Sequence, residues 1–248
     1  MTHHAATIRE NAHPRDGCDA QLRTSLGPTF IVGALLCARR AREIEAMSEV
    51  SELLGTEHLS SVISAIVQAA AAIEAEAVEV AMHGPWTRVP EALEFDTVDQ
   101  IGPLLTERKG QAMRAADSSR PLVEKWNKIL VALCLRPFDV STELCREVAL
   151  LNQLRSEVVH FRSHWGGEVK GPRSGLLGAL QAKDFKRPSF RDPGLSAYPY
   201  HVLSAACAHW AATVAVRFID DATCRVYGRS RLQHFRNESS PYKAIFLD

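Results

Sequence analysis

Apolar positions along the chain recur at helical spacing and nowhere alternate with period two, which predicts an all-α protein. The longest signal is "HLSSVISAIVQAAAAIEAEAVEVAMH", in which Leu59, Ile63, Ile66, Ala70, Ile73, Ala77 and Val80 share one face. Thr56 or Ser60 can cap this helix, and Gly84-Pro85 stops it. Upstream, "TFIVGALLCARRAREIEAM" begins apolar and becomes amphipathic, either a helix throughout or a short buried strand entering one. Downstream, Thr97 and Gln100 form a T-x-x-Q capping box ahead of "IGPLLTERKGQAMRAA", a helix that Pro103 weakens or kinks. Pro121 suits the first turn of a helix through "LVEKWNKILVALCL", which ends at Pro137. Ser141 or Thr142 starts the next helix, with Glu143 in its first turn and Gly166-Gly167 at its end. A last long helix covers "HVLSAACAHWAATVAVRFIDDATCRVY".

The segments between and beyond these helices divide the chain. Residues 1 to about 26 are polar and broken by Pro14 and Gly17, so 1–55 reads as an arm followed by an amphipathic segment. Residues 56–227 form the helical domain proper, and 228–248 a polar C-terminal tail. Inside the domain, 166 to about 198 is rich in glycine, proline and Lys/Arg, which predicts a long basic loop, functional or a mobile linker.

With 248 residues and 46% hydrophobic content the chain can bury one large core. A formal net charge of zero excludes a surface devoted wholly to gripping nucleic acid. The charge is uneven, however: Glu43 to Asp99 is acidic apart from Arg88, whereas Cys145 to Arg191 is basic. The six cysteines show no CxxC, and Cys37, Cys134 and Cys207 sit among apolar neighbours like buried reduced thiols. The N-terminus lacks an apolar signal core and no run approaches about 18 uninterrupted apolar residues, so a cytoplasmic protein with no membrane contact is expected.

Chemistry concentrates in "LNQLRSEVVHFRSHW", where Arg155 and His160 stand five apart. With 22 arginines and 10 histidines, chance alone supplies roughly one such pair. A second indeed occurs, Arg229 and His234 in "RSRLQH", but it lies among few apolar positions before a polar terminus and reads as a decoy. The first pair has a setting. Leu144, Glu147, Leu151, Leu154, Val158, Phe161 and Trp165 form a stripe facing the core, while Arg155, Val159, Asn152, Ser163, Ser156 and His160 share an arc of about 140° on the other side. Ser156, at i,i+4 from His160, could orient the imidazole or touch a phosphate.

"LLNQLRSEVVHFRSHW", preceded by "PLVEKWNKILVALCLRPFDVS", resembles the RxxxxH-motif helix of the HEPN superfamily over residues 56–227. That resemblance implies an antiparallel helical bundle of HEPN type and a metal-independent endoribonuclease, often of toxin-antitoxin or antiphage systems, in which two motif helices share one cleft across a homodimer axis. It carries Arg155 and His160 onto the two motif positions and Ser156 onto the polar one, where asparagine is commoner. The alternative is a non-catalytic HEPN-like module that binds RNA, a nucleotide or a partner protein such as an antitoxin. The residue types suit RNA cleavage through the 2′-hydroxyl: His160 as general acid/base, Arg155 as clamp for the growing phosphate charge, Ser156 as orienter. Arg162, Lys170, Arg173, Lys183, Lys186 and Arg187 would hold RNA phosphates.

No cofactor or metal is expected. His160 and His164 have the spacing of a zinc pair, but "HFRSH" lacks the glutamate of zinc proteases and has no third ligand nearby. "GGEVKGPRSG" is not GxxxxGK[ST]. Glu74, Glu76, Glu79, Asp220 and Asp221 fall on amphipathic helices where carboxylates ordinarily face water, and Trp126, Trp165 and Trp210 fit a core or interface.

Overall fold

The computed structural model describes residues 26–86, 98–160, 174–192, 194, 200–237, 240 and 243–247, and no strand occurs among them. The elements are α1 (Leu26–Glu45), α2 (Glu52–His83), α3 (Val98–Ala116), α4 (Leu122–Ala132), α5 (Glu143–Val159), α6 (Ser174–Gln181), α7 (Ala205–Tyr227), α8 (Gln233–Arg236) and α9 (Lys243–Leu247). The all-α expectation holds, and the strand alternative at the start of α1 does not.

Helices α1 and α2 form an antiparallel hairpin, because the pairs between them run in opposite order. Gly27 lies against Glu76, the Gln68 amide donates to Cys37 Sγ (3.6 Å), Arg40 pairs with Glu57 (2.8 Å) and Glu45 meets His58 (2.8 Å). Ile31, Ala34, Ala38, Ala41 and Ile44 of α1 are buried against α2 and α7, so α1 belongs to the same core as the helices that follow. The expected division at residue 56 therefore marks no boundary of packing. Alanine makes up much of this core: Ala65, Ala69, Ala72 and Ala77 of α2 and Ala208, Ala211, Ala215 and Ala222 of α7 are buried in one cluster where α1, α2 and α7 meet. Trp126 of α4 closes that core, fully buried, with its indole N–H donating to the Ile73 carbonyl (3.2 Å) and its ring edge-on to Phe218.

By length and composition α2 could cross a membrane, but it is the central helix of this core, touching α1, α3, α4, α5 and α7. It also begins earlier than expected. Ser51 is its N-cap, accepting from the Leu54 N–H, while Thr56 turns its hydroxyl to the Glu52 carbonyl. Part of the expected basic loop is helix α6, which buries Leu176 and Leu180. The terminal tail is anchored too. Gly228, at φ 73°, turns the chain after α7, and Leu232 is buried, Arg231 pairs with Glu76 and Arg236 with Asp220 (2.6 Å). Cys134, expected among buried thiols, is exposed; Cys207 is buried, and burial pushes its thiol pKa up. Thr97 of the expected capping box lies outside the described residues.

Candidate functional site

Helix α5 carries the Arg155/His160 motif, and local hydrogen bonds fix its start. Asp139 accepts from both the amide and hydroxyl of Ser141 (2.8 and 2.7 Å), bonds that hold its carboxyl below the ordinary aspartate range. Thr142 is the N-cap, its hydroxyl accepting from the Cys145 N–H (3.4 Å). Cys145, Val148, Leu151 and Leu154 then bury one face against α2, α4 and α7. Glu147 lies on this face, as its place in the stripe predicts, and is only 8% exposed. Its carboxylate takes the Lys183 ammonium and the Trp210 indole N–H (3.3 Å), with Arg217 3.8 Å away. Lys183, whose ammonium also lies 5.8 Å from the Trp210 ring centre, is thus paired with a buried acid of α5.

The helix ends one residue short of the motif histidine. Val159 is the last residue of α5, and His160 is its C-cap, with φ −104° and ψ 19°. The expected end at Gly166-Gly167 lies outside the described residues. Arg155 and Asn152 are half-buried, and Ser156, Val159 and His160 exposed. Ser156 and His160 are joined through the backbone, the His160 N–H donating to the Ser156 carbonyl (3.0 Å), and not by the hydroxyl–imidazole contact expected. Among the described residues, the side chains of Arg155, Ser156 and His160 make no hydrogen bond or ion pair, and none of them lines a described cavity. The motif is an open, polar corner at the end of α5, with Arg155 on the helix and His160 at its cap. Arg229 lies in the turn after α7 and His234 in α8, so the second Arg/His pair is not carried on one helix.

Lys186 and Arg187 are exposed. Lys186 borders a cavity of about 360 Å³ with Arg42, Glu45 and His209, in which the Arg42 guanidinium donates to His209 Nδ1 (3.3 Å). Burial and the Arg42 charge lower the His209 pKa. Arg162, Lys170, Arg173, His164 and Trp165 lie outside the described residues. Among those described, no three His, Cys, Asp or Glu side chains are grouped to hold a metal ion.

The sequence pattern missed two polar groups in the core. His58 is fully buried, its Nε2 against Glu45, which also accepts from the Ala205 N–H at the start of α7 (2.7 Å). Glu76, expected in water, is fully buried and paired with Arg231. Compared with known proteins, the chain matches no family model, no curated protein and no solved structure.

Proposed function

We propose that the chain is a HEPN-like, metal-independent endoribonuclease of the cytoplasm, acting as a homodimer, in the setting of a toxin-antitoxin or antiphage system. The observation that carries the reading is that Arg155, Ser156 and His160 sit together at the end of α5 with their side chains unengaged by the described residues, whereas Glu147 on the buried face of the same helix is paired with Lys183.

A single copy holds Arg155 and His160 too far round the helix to face one phosphate. A second copy, with its α5 end alongside, makes a cleft from two arginines and two histidines. There the imidazole of one copy takes the proton of the RNA 2′-hydroxyl as its oxygen bonds to phosphorus, and the resulting imidazolium gives a proton to the departing 5′-oxygen as the P–O5′ bond breaks, beside the Arg155 of the other copy. Arg155 neutralises the charge that builds on the non-bridging oxygens. The products are a 2′,3′-cyclic phosphate and a 5′-hydroxyl, and no step uses a metal.

The test is cleavage of an RNA pool by purified protein in excess EDTA. Arg155→Ala and His160→Ala should each slow cleavage by about 10²- to 10⁴-fold with the fold intact, since neither side chain supports the core. Arg229→Ala and His234→Ala should match the parent. The second reading, a binding module without turnover, is favoured by one observation: no described cavity is lined by the motif. Absence of cleavage, together with loss of RNA binding in the motif variants, would establish it instead.

A further inference from the structure

A groove of about 740 Å³ runs between α3 and α4, on elements that carry no part of the α5 motif. Helical spacing builds its α4 wall. Glu124, Lys128 and Val131 stand at i, i+4 and i+7, one face of the helix about 10 Å long, while Gln111, Arg114 and Ala115 line it from α3. Val131 is 59% exposed, a branched apolar side chain left without cover, and Ala115, Ala132 and Pro137 extend the apolar lining. Two contacts hold the walls in place. The buried Arg108 of α3 donates to the Ala132 carbonyl at the end of α4 (2.6 Å). Asn127 brackets the Phe138 backbone, accepting from its N–H (2.7 Å) and donating to its carbonyl (3.1 Å), which fixes Pro137 beside α4.

The charge around this apolar strip is positive. Arg120 is paired with Glu124, whereas Arg114 and Lys128 are exposed and have no ion pair among the described residues. Two uncompensated cations flanking aliphatic side chains complement a partner that brings negative charge and apolar bulk together. A nucleic acid has the charge, but among the described residues no aromatic side chain lines the groove for a base to stack on. An acidic peptide has both. We propose that this groove docks a short acidic segment of another protein, a large apolar side chain lying over Val131 and Ala115 and carboxylates on either side of it reaching Arg114 and Lys128. A wall of this length accommodates about three extended residues or about two turns of helix. The docking surface stands whether or not the α5 motif cleaves RNA.

Panning a phage-displayed library of random dodecapeptides on the immobilised full chain tests it, followed by calorimetric titration of the selected peptides in synthetic form. The selected sequences should carry Asp or Glu on both sides of a large apolar residue and bind with Kd below about 100 µM. Arg114→Gln with Lys128→Gln should weaken them at least about tenfold, and Val131→Asp should do so through the apolar contact. All three positions are exposed, so the fold should persist with unchanged thermal melts. Replacing the peptide's carboxylates by amides supplies a comparison made on the parent protein alone: it should cost the parent the same factor of about ten and the Gln variant little. The proposal is overturned if no peptide is enriched, if the enriched peptides carry no excess of acidic residues, or if they bind the groove variants as they bind the parent. A short oligoadenylate RNA that displaces them, and itself loses binding in the same variants, would overturn it by assigning the groove to nucleic acid. Self-association of the chain that is lost in these variants would overturn it by assigning the groove to a second copy.

Discussion

Replacing Arg231 by methionine keeps most of the side-chain stem but leaves the Glu76 carboxyl without the cation that faces it at 2.7 Å. Glu76 is fully buried on α2, its second oxygen has no hydrogen-bond partner, and a Cβ on Gly27 would come within 2.6 Å of that oxygen. Burial already raises the Glu76 pKa from its ordinary 4.5, and the Arg231 charge and hydrogen bond oppose the rise. Without Arg231 the cheapest response is to bind a proton. Protonating a carboxyl of ordinary pKa costs about 3.4 kcal/mol at pH 7 and about 1.4 kcal/mol less for each unit that the pH falls. Arg231→Met should therefore lose about 3 kcal/mol at pH 7 and only about 1 kcal/mol at pH 5, read from urea denaturation at pH 5, 6, 7 and 8. Glu76→Gln should be far milder, since a neutral amide needs no counter-charge, and the double variant should recover most of the loss. In the parent protein a raised folded-state pKa stabilises below about pH 4.5, and that contribution is lost as the pH rises through the folded value; Glu76→Gln should flatten this slope. A loss in Arg231→Met that is the same at every pH, or a Glu76→Gln variant weaker than Arg231→Met, would refute the reasoning.

Three further predictions concern stability and RNA contact. Cys134 holds a left-handed conformation, φ 56°, at the end of α4, where Cys134 and Leu135 close a Schellman motif on the Val131 and Leu130 carbonyls. Cys134→Gly should stabilise the protein by about 1 kcal/mol in urea denaturation, and a loss would contradict the strain assigned there. Lys183→Met should destabilise by about 2 kcal/mol, because it leaves the buried Glu147 carboxylate with only the Trp210 N–H and the more distant Arg217, yet leave the salt dependence of RNA binding unchanged. Lys186→Glu with Arg187→Glu should do the reverse, lowering the slope of log affinity against log salt by about 1 to 2; equal slopes in both variants would remove the basic segment from the RNA contact.

The helices were legible in the sequence because apolar spacing reports which face is buried. Their ends were not. At α5 the apolar stripe continues through Phe161 and Trp165, so periodicity gives no warning that the helix stops at Val159. At α2 the choice among Ser51, Thr56 and Ser60 depends on which hydroxyl meets a free N–H, a matter of backbone geometry. Helix α6 was hidden by Gly175 and Gly178, which lower helix propensity while Leu176 and Leu180 supply the packing that overrides it. The polarity rule placed Glu147 correctly, since it sits within an apolar stripe. It failed for Glu76, whose partner Arg231 is 155 residues away and comes from a tail that looked unstructured. Of the candidate site, the exposure of Ser156 followed from its place off the apolar stripe, whereas the cap position of His160 and the pairing of Lys183 with Glu147 required the fold.

The claim at the centre of this account is that two copies of the chain share one catalytic cleft, and mixing inactive variants addresses it most directly. Arg155→Ala and His160→Ala are purified separately, then unfolded and refolded together in equal amounts, and RNA cleavage is measured in EDTA. In a shared cleft one copy supplies the arginine and the other the histidine, so the mixture should recover up to about a quarter of the parent activity while each variant alone stays inactive. A mixture no more active than its components, beside an active parent, would contradict the shared cleft, and a parent that cleaves no RNA would contradict the enzyme itself.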